Sequence, residues 1–274
     1  MTTTAPATTA RPLALITGAS AGIGAAFARA YAARGYDLAL VARRADRLEA
    51  LGAELAAAHG IEAFAIPADL AVFEAHVAVL AAVAARGRVV DALVNNAGFS
   101  IAQSFAGVRW ARQRDFLMTL VVNACGLGHG VIAGMAERRR GTIINVGSLA
   151  AFAPGVAGHS LYPGAKSLMV TWSQALAAEL KGTGIRVTVT CPGFTITEFA
   201  QANGTKGVMD EAPRRLFQTA EQVVAETLAA NDRGRVVVVP GLHNKIAVLV
   251  LRYLPQPLLI AILGRASAKY HLED

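Results

Sequence analysis

The sequence predicts a single α/β domain built on a doubly wound, seven-stranded parallel sheet. Seven short runs of β-branched and apolar residues recur along the 274 residues, and alanine-rich segments with helical spacing separate them. The runs are continuously apolar rather than alternating, which is typical of strands covered by helices on both faces. Because strands that alternate with helices form parallel sheets, we expect repeated right-handed crossovers. No repeat, linker or change in composition divides the chain.

The limits of the apolar runs predict where each strand begins and ends. The predicted strands cover 13–17, 37–42, 62–67, 91–96, 142–147, 186–191 and 235–240. Helical spacing between them predicts helices over 44–58, 71–86, 114–136 and 163–181. A further helix is expected in the alanine-rich run 25–35, directly after the first strand.

The two ends of the chain lie outside this alternation. Residues 1–11 are rich in threonine and alanine and have no apolar centre, so we expect a flexible tail rather than a secretory signal. The Rossmann-like domain then covers 12–241. Residues 242–274 predict an apolar helical extension of the same domain, with two short helices around the Pro-Gln-Pro sequence at 255–257.

The sequence is compatible with three roles for this extension. It packs on its own subunit, which we favour, or it forms a contact in a homodimer or homotetramer. The third use, contact with a membrane surface, is the least favoured. If the extension packs near the active site, it favours a bulky apolar substrate.

Composition excludes several classes of protein. The net charge is +7, but the basic residues are dispersed, and the run at 137–141 is typical of a solvated helix end. We therefore expect no nucleic-acid partner. Two cysteines fit a reducing cytoplasm, and six scattered histidines show no metal-ligand spacing, so no metal is expected. No run of about 18 apolar residues is free of charge or proline, so no ordinary membrane span is predicted.

A glycine-rich turn follows the first predicted strand. Gly18, Gly22 and Gly24 stand in the sequence GASAGIG, and a predicted helix begins directly behind them. Glycines let the backbone approach a ligand closely, and the N–H groups at a helix N-terminus attract a pyrophosphate. The order strand, glycine turn, helix therefore predicts a nucleotide site that also includes Ser20, Ala21 and Ile23.

Five motifs in order resemble the classical short-chain dehydrogenase/reductase family over residues 13 to about 240. They are the T-G-x-x-x-G-x-G pattern from Thr17 to Gly24, NNAG at 95–98, GS at 147–148, YPGAK at 162–166 and PGFTIT at 192–197. The resemblance implies an enzyme that transfers hydride between a nicotinamide cofactor and a carbonyl or alcohol group.

The pair Tyr162 and Lys166 is four residues apart and so shares one face of a helix. A nearby ammonium group is expected to lower the tyrosine pKa, and Pro163 is compatible with a helix that begins at about the tyrosine. The resemblance implies that Tyr162 is the general acid/base and that Lys166 also holds the nicotinamide ribose. It further implies that Ser148 binds the substrate oxygen and that Asn123 joins a proton relay, through water, to the lysine.

The end of the second strand predicts which cofactor binds. Arg43 and Arg44 stand where an acidic residue would hold a ribose 2′-hydroxyl, and guanidinium groups suit a 2′-phosphate. We therefore expect NADP(H) rather than NAD(H). The remaining cofactor contacts implied by the resemblance are Asp69 and Leu70 at the adenine, Asn96, Ala97 and Gly98 at the adenosine ribose, and Pro192, Gly193, Thr195 and Thr197 at the nicotinamide.

The favoured function is an NADP(H)-dependent oxidoreductase for a small, mainly apolar carbonyl or alcohol substrate. A 3-oxoacyl-thioester reductase and a non-catalytic dinucleotide-binding protein remain as alternatives. The substrate is expected to lie under a mobile lid formed by about 198–220.

Overall fold

Seven parallel strands form the central sheet in the computed structural model of the chain, which describes residues 11–155, 157–158, 160–198 and 213–267. The strands are β1 Leu13–Thr17, β2 Asp37–Ala42, β3 Ala63–Pro67, β4 Ala92–Asn95, β5 Gly141–Val146, β6 Ile185–Thr190 and β9 Val237–Val238. Their order in the sheet is β3-β2-β1-β4-β5-β6-β9. The predicted seven-stranded, doubly wound sheet is therefore confirmed, and the strand order reverses between β1 and β4.

A second, two-stranded sheet was not expected from the sequence. It pairs β7, Thr195–Ile196, with β8, Gln218–Thr219, in parallel. This small sheet lies in the loop after β6, so it fixes the two ends of the segment that the sequence predicts as a lid. Most of that predicted lid falls outside the described residues.

Helices cover both faces of the main sheet. The helices of the described residues are α1 Gly22–Ala33, α2 Ala45–His59, α3 Ala75–Ala84, α4 Trp110–Leu117, α5 Asn123–Glu137, α6 Tyr162–Glu179, α7 Ala220–Asp232, α8 Leu242–Tyr253 and α9 Gln256–Ser267. A π-helical turn, Met118–Val122, joins α4 to α5, and 3-10 turns occupy Leu149–Phe152 and Arg214–Leu216. All the helical segments that the spacing predicts are present.

The core consists of two apolar layers, one on each face of the sheet. Along β1, Ala14 and Ile16 face α1, α2 and α7, whereas Leu13 and Leu15 face α3, α5 and α6. All four side chains are fully buried. Burial of each leucine or isoleucine contributes roughly 1.5–3 kcal/mol, which explains why continuously apolar strands are needed here.

One helical stretch, Trp110–Glu137, is long and apolar enough to cross a membrane, with a mean hydropathy of 1.7 in its most apolar window. Within the fold, 44% of that window is buried. Leu127 and Val131 of α5 belong to the same buried cluster as residues of α3 and α6. The stretch therefore has the contacts of a core helix of the sheet.

The C-terminal extension contains the two expected helices, α8 and α9, separated at Leu254 and Pro255. Part of it packs on the subunit, since Asn244, Val248 and Leu259 are buried. Most of its large apolar side chains are exposed. They are Leu242, Ile246, Leu249, Val250, Tyr253, Leu258, Ile260 and Ile262. The N-terminal tail predicted for 1–11 lies outside the described residues except for Arg11.

Candidate active site

The C-terminal ends of β1 and β4 meet at the point where the strand order reverses, which is where open α/β sheets bind ligands. The Thr17 hydroxyl joins the two ends. Its Oγ1 donates to the carbonyl of Val94 at 3.2 Å and accepts from the N–H groups of Asn96 and Ala97 at 2.9 and 3.0 Å. This buried threonine holds the glycine turn against the NNAG sequence.

The glycine turn packs too closely on its neighbours to hold larger residues at two positions. Gly18 has a φ of +65°, which favours glycine, and a Cβ atom there would lie 2.7 Å from the Nδ2 of Asn96. A Cβ atom at Gly24 would overlap the carbonyl oxygen of Gly18. Helix α1 begins at Gly22, so its first N–H groups point into the turn where a pyrophosphate could bind.

Arg44 connects the end of β2 to the glycine turn. Its Nε and Nη2 donate to the Ser20 hydroxyl at 3.3 and 3.0 Å, and its Nη1 donates to Glu198 at 3.3 Å. Arg47 also binds Glu198, at 2.8 Å, and Arg43 is exposed beside them. Asp69 and Leu70 follow β3 on the same side, where Asp69 accepts from the N–H of Ala71 at 3.0 Å.

Ser148 lies two residues beyond β5, at the start of the 3-10 turn. Its Oγ accepts from the N–H of Ala150 at 3.1 Å, and its side chain is hydrogen-bonded to that of Tyr162. The neighbouring loop is held close, since the N–H of Leu149 donates to the carbonyl of Pro192 at 2.9 Å. Ser148 is therefore placed between the tyrosine and the loop that the sequence assigns to the nicotinamide.

Tyr162 is the first residue of α6, as the sequence predicts, with Pro163 in the first turn. Its ring packs against Phe116, with the ring centroids 6.3 Å apart. Burial raises the pKa of Tyr162, and the hydrogen bond from Ser148 opposes that rise without reversing it. The expectation that Lys166 lowers this pKa is wrong for this structure, because burial of the phenol dominates.

Lys166 lies one turn along α6 and is 7% exposed. Its Nζ donates to the carbonyl of Val146, the last residue of β5, at 2.8 Å and lies 5.7 Å from the centroid of the Tyr162 ring. Burial lowers the pKa of Lys166 to about 8. The Lys166 side chain is thus bound to the strand that leads to Ser148. Its ammonium group loses its proton more readily than that of an exposed lysine.

Asn123 holds the segment between β3 and α3 with its side-chain amide. It is fully buried, and its Nδ2 donates to the carbonyls of Leu70 and Val72 at 2.8 and 2.9 Å. Its Oδ1 accepts from the backbone N–H of His76 at 3.0 Å. Among the described residues, no hydrogen bond joins Asn123 to Lys166. These bonds engage the side-chain amide with the segment between β3 and α3, and the relay role expected of Asn123, through water, stays a prediction.

Leu120, one helical turn before Asn123, lies in the cluster that packs against Tyr162. It is 3% exposed and shares a buried cluster with Phe116 and Ala165, against which Tyr162 packs. A Cβ atom at Gly98 would lie 3.3 Å from the Cγ of Leu120. An apolar side chain therefore occupies the helix face that points to Tyr162.

The loop after β6 closes the site. Thr195 Oγ1 donates to the carbonyl of Gly193 at 3.1 Å. A Cβ atom at Gly22 would lie 3.0 Å from the Cβ of Thr197, so this loop touches the glycine turn. Asn244 of α8 lies directly behind Gly193 and donates to the carbonyl of Pro240 at 2.7 Å.

Comparison with known proteins agrees with this arrangement. The family model for short chain dehydrogenases matches residues 12–207. A serine 3-dehydrogenase from Agrobacterium fabrum is 36% identical over 220 residues, which cover 78% of this chain and 84% of that protein. The chain belongs to the short-chain dehydrogenase family. It is accordingly an oxidoreductase that acts on alcohol or carbonyl groups, and the expectation of an enzyme is confirmed.

Two solved structures show the same fold over most of the enzyme. A short-chain dehydrogenase from Sphingobium yanoikuyae in complex with NADPH is 34% identical, with a TM-score of 0.76, and the match covers 87% of this chain and 91% of that one. A bulky-bulky ketone specific alcohol dehydrogenase from Comamonas testosteroni is 26% identical, with a TM-score of 0.74 and coverage of 97% and 96%.

A narrow cleft lies beside Tyr162 in this short-chain dehydrogenase. It contains about 260 Å³ of space, part of it open to solvent. Four of its lining side chains are apolar: Ile101, Phe105, Phe116 and Leu161. The polar lining residues other than Tyr162 are Gln103, Ser104, Gln113 and Ser160, and Gln113 is engaged with the carbonyls of Phe105 and Val108.

Sequence reasoning missed several residues that build the site. Arg47 and Glu198 complete the charged group around Arg44, and His76 holds the amide of Asn123. The excess of arginines after β2 could have indicated Arg47. Nothing in the sequence indicates Glu198, because 154 residues separate it from Arg44.

Proposed function

We propose that the enzyme is an NADP(H)-dependent carbonyl reductase or alcohol dehydrogenase for a mainly apolar substrate. The proposal depends on one arrangement: the hydrogen-bonded pair Ser148 and Tyr162 beside Lys166, at the edge of an apolar cleft. A hydroxyl that holds an oxygen atom and a phenol that can give it a proton are the groups that carbonyl reduction needs.

Ser148, Tyr162 and Lys166 have separate roles in the reaction. When bound, the cofactor supplies or accepts a hydride. The Ser148 hydroxyl holds the substrate oxygen, and Tyr162 gives a proton to that oxygen in reduction. Burial raises the pKa of Tyr162, so at neutral pH the phenol carries the proton that it gives to the substrate oxygen. Lys166, bound to the carbonyl of Val146, holds the ribose next to the tyrosine.

The preference for NADP(H) rests on the arginines after β2. Arg44 binds Ser20 of the glycine turn, so its guanidinium lies beside the expected pyrophosphate site, and Arg43 and Arg47 add positive charge nearby. No acidic residue follows β2 before Asp46. A guanidinium fork suits the 2′-phosphate, and the NADPH complex of the Sphingobium relative supports the same choice.

The apolar lining of the cleft supports the choice of substrate. Ile101, Phe105, Phe116 and Leu161 offer no group that would bind a phosphate or carboxylate. The Comamonas relative, which is specific for bulky-bulky ketones, supports a bulky ketone or its alcohol in this enzyme as well. The exposed apolar side chains of α8 support a homodimer or homotetramer, and we propose a cytoplasmic enzyme.

A substrate and cofactor panel tests the proposal. NADPH and NADH consumption is followed by absorbance with bulky ketones, aldehydes and β-ketoacyl thioesters. We expect turnover of bulky ketones with NADPH. Activity on thioesters alone would favour a 3-oxoacyl-thioester reductase, and no turnover of any carbonyl compound would contradict the proposal.

The double variant Arg43→Asp/Arg44→Ala tests the cofactor preference. Two charge-assisted contacts of roughly 1.5–3 kcal/mol each predict that NADPH binding weakens at least about ten-fold while NADH binding changes much less. Arg233→Ala, at an exposed position after α7, is the control for the loss of an arginine elsewhere on the surface. Equal losses for both cofactors would contradict the role assigned to the arginines.

A further inference from the structure

Glu198 holds two of the arginines that the cofactor needs. Its carboxylate accepts from Arg44 Nη1 at 3.3 Å and from Arg47 Nη1 at 2.8 and 2.9 Å. About half of each of the three side chains is exposed, so the group is open to solvent and to a ligand. The hydrogen bonds from Arg47 and then from Arg44 lower the pKa of Glu198, so it remains a carboxylate at neutral pH.

The donors of Arg44 are divided between two partners. Its Nε and Nη2 bind the Ser20 hydroxyl of the glycine turn, and its Nη1 binds Glu198. An arginine binds a phosphate with the same planar set of donors. A phosphate at Arg44 therefore has to replace the carboxylate or share the guanidinium with a negative charge.

The chain just before Glu198 is held in place by two contacts. Thr197 touches Gly22 of the glycine turn, and β7 is paired with β8. The carboxylate therefore stays within reach of the arginines when it is displaced from them. Its negative charge opposes a second anion at the same place whether or not the ion pairs are formed.

We propose that Glu198 is a specificity-determining residue that competes with the 2′-phosphate of NADP(H) for Arg44 and Arg47. The inference rests on the proposed NADP(H) preference. NAD(H) has a 2′-hydroxyl in place of the phosphate, so Glu198 does not oppose its binding. Glu198 therefore reduces the preference for NADP(H) that the arginines create.

Calorimetric titration of the whole chain with NADPH and NADH tests this proposal, in the wild type and in Glu198→Gln. Two exposed ion pairs are lost in the variant, so NADPH should bind about three- to ten-fold more tightly, while NADH binding changes less than about two-fold. The gain in NADPH affinity should be smaller at high salt, because salt screens the interactions between exposed charges. Glu179→Gln, at the far end of α6, changes the net charge equally and should have no such effect.

Four results would overturn the proposal. These are unchanged NADPH binding in Glu198→Gln, an equal gain for both cofactors, an equal gain in Glu179→Gln, and weaker NADPH binding, which would mean that Glu198 positions Arg44 for the phosphate. Arg44→Ala separates this inference from the proposed function. If Arg44→Ala leaves NADPH binding unchanged, the NADP(H) assignment is wrong. If Arg44→Ala weakens NADPH binding but Glu198→Gln changes nothing, only the competition is wrong.

Discussion

Asn123 and His76 are joined by two contacts that fasten the start of α5 to the start of α3. Asn123 Oδ1 accepts from the backbone N–H of His76 at 3.0 Å and lies 2.8 Å from its Nδ1. An amide oxygen only accepts, so Nδ1 carries a proton. With two further bonds from Nδ2 to the carbonyls of Leu70 and Val72, the side-chain amide is fully engaged, so a water relay at Asn123 would use its backbone.

Asn123→Ala should therefore act on stability. It leaves two carbonyls and one backbone N–H without partners, and each such group costs about 1–3 kcal/mol. We expect the free energy of unfolding to fall by at least about 3 kcal/mol in urea titration. Well below the unfolding temperature, kcat should stay within about ten-fold of the wild type. A hundred-fold loss of kcat with unchanged stability would contradict this structural role and support the relay.

Tyr162→Phe removes only a hydroxyl group. Turnover should fall by roughly 10²–10⁴-fold, the usual contribution of a positioned general acid, while NADPH affinity and the fold are retained. Tyr36→Phe, at the loop before β2, is the control and should keep full activity. Steady-state kinetics on the best ketone and NADPH titration measure both effects. A Phe variant with more than about a tenth of the activity would show that another group gives the proton.

Lys166 should make stability depend on pH above neutrality. Its pKa falls from 10.5 to about 8 on folding, so between these values the unfolded chain binds more protons than the folded one. Stability from this residue therefore rises with pH through that window and has no slope well below pH 8. Relative to Lys166→Met, the wild-type free energy of unfolding should rise by about 1 kcal/mol from pH 8 to pH 9.

Urea titrations of both proteins at the two pH values measure this difference. The comparison with Lys166→Met removes the contributions of groups that both proteins share. A difference that stays constant or falls with pH would mean that Lys166 keeps an ordinary pKa. The same variant should also weaken NADPH binding, because it removes the proposed ribose contact.

Deletion of 242–274 should disturb the subunit surface and the nicotinamide loop. It removes Asn244 from behind Gly193 and uncovers the buried neighbours of Val248. We expect aggregation or a changed oligomeric state in light scattering. Deletion of 256–274 alone keeps α8 and should leave the loop supported. A soluble 1–241 protein with unchanged mass and kinetics would show that the extension is dispensable.

The backbone of this site could be predicted from the sequence because each feature is local. The glycine turn, the start of α6 at Tyr162 and the arginines after β2 all follow from residues within one or two turns of each other. Lys166 and Ser148 also lie where the motifs predict, since a strand end and a helix start fix them.

Other features depend on contacts that sequence spacing does not contain. The π-helical turn Met118–Val122 adds a residue to its turn, so spacing alone does not tell which face Asn123 presents. Leu120 faces Tyr162 instead. The pKa values of Tyr162 and Lys166 depend on burial by distant elements, which outweighs the effect that their spacing predicts.

The buried thiol of Cys191 gives this enzyme an internal reporter of motion. Cys191 is fully buried behind Gly147, and burial raises its pKa to about 12. Because only a thiolate is alkylated, this thiol should react only when the ends of β5 and β6 separate locally. Cys125, which is partly exposed, should react first. The slower labelling rate would then measure how often the strand end next to Ser148 opens in the native enzyme.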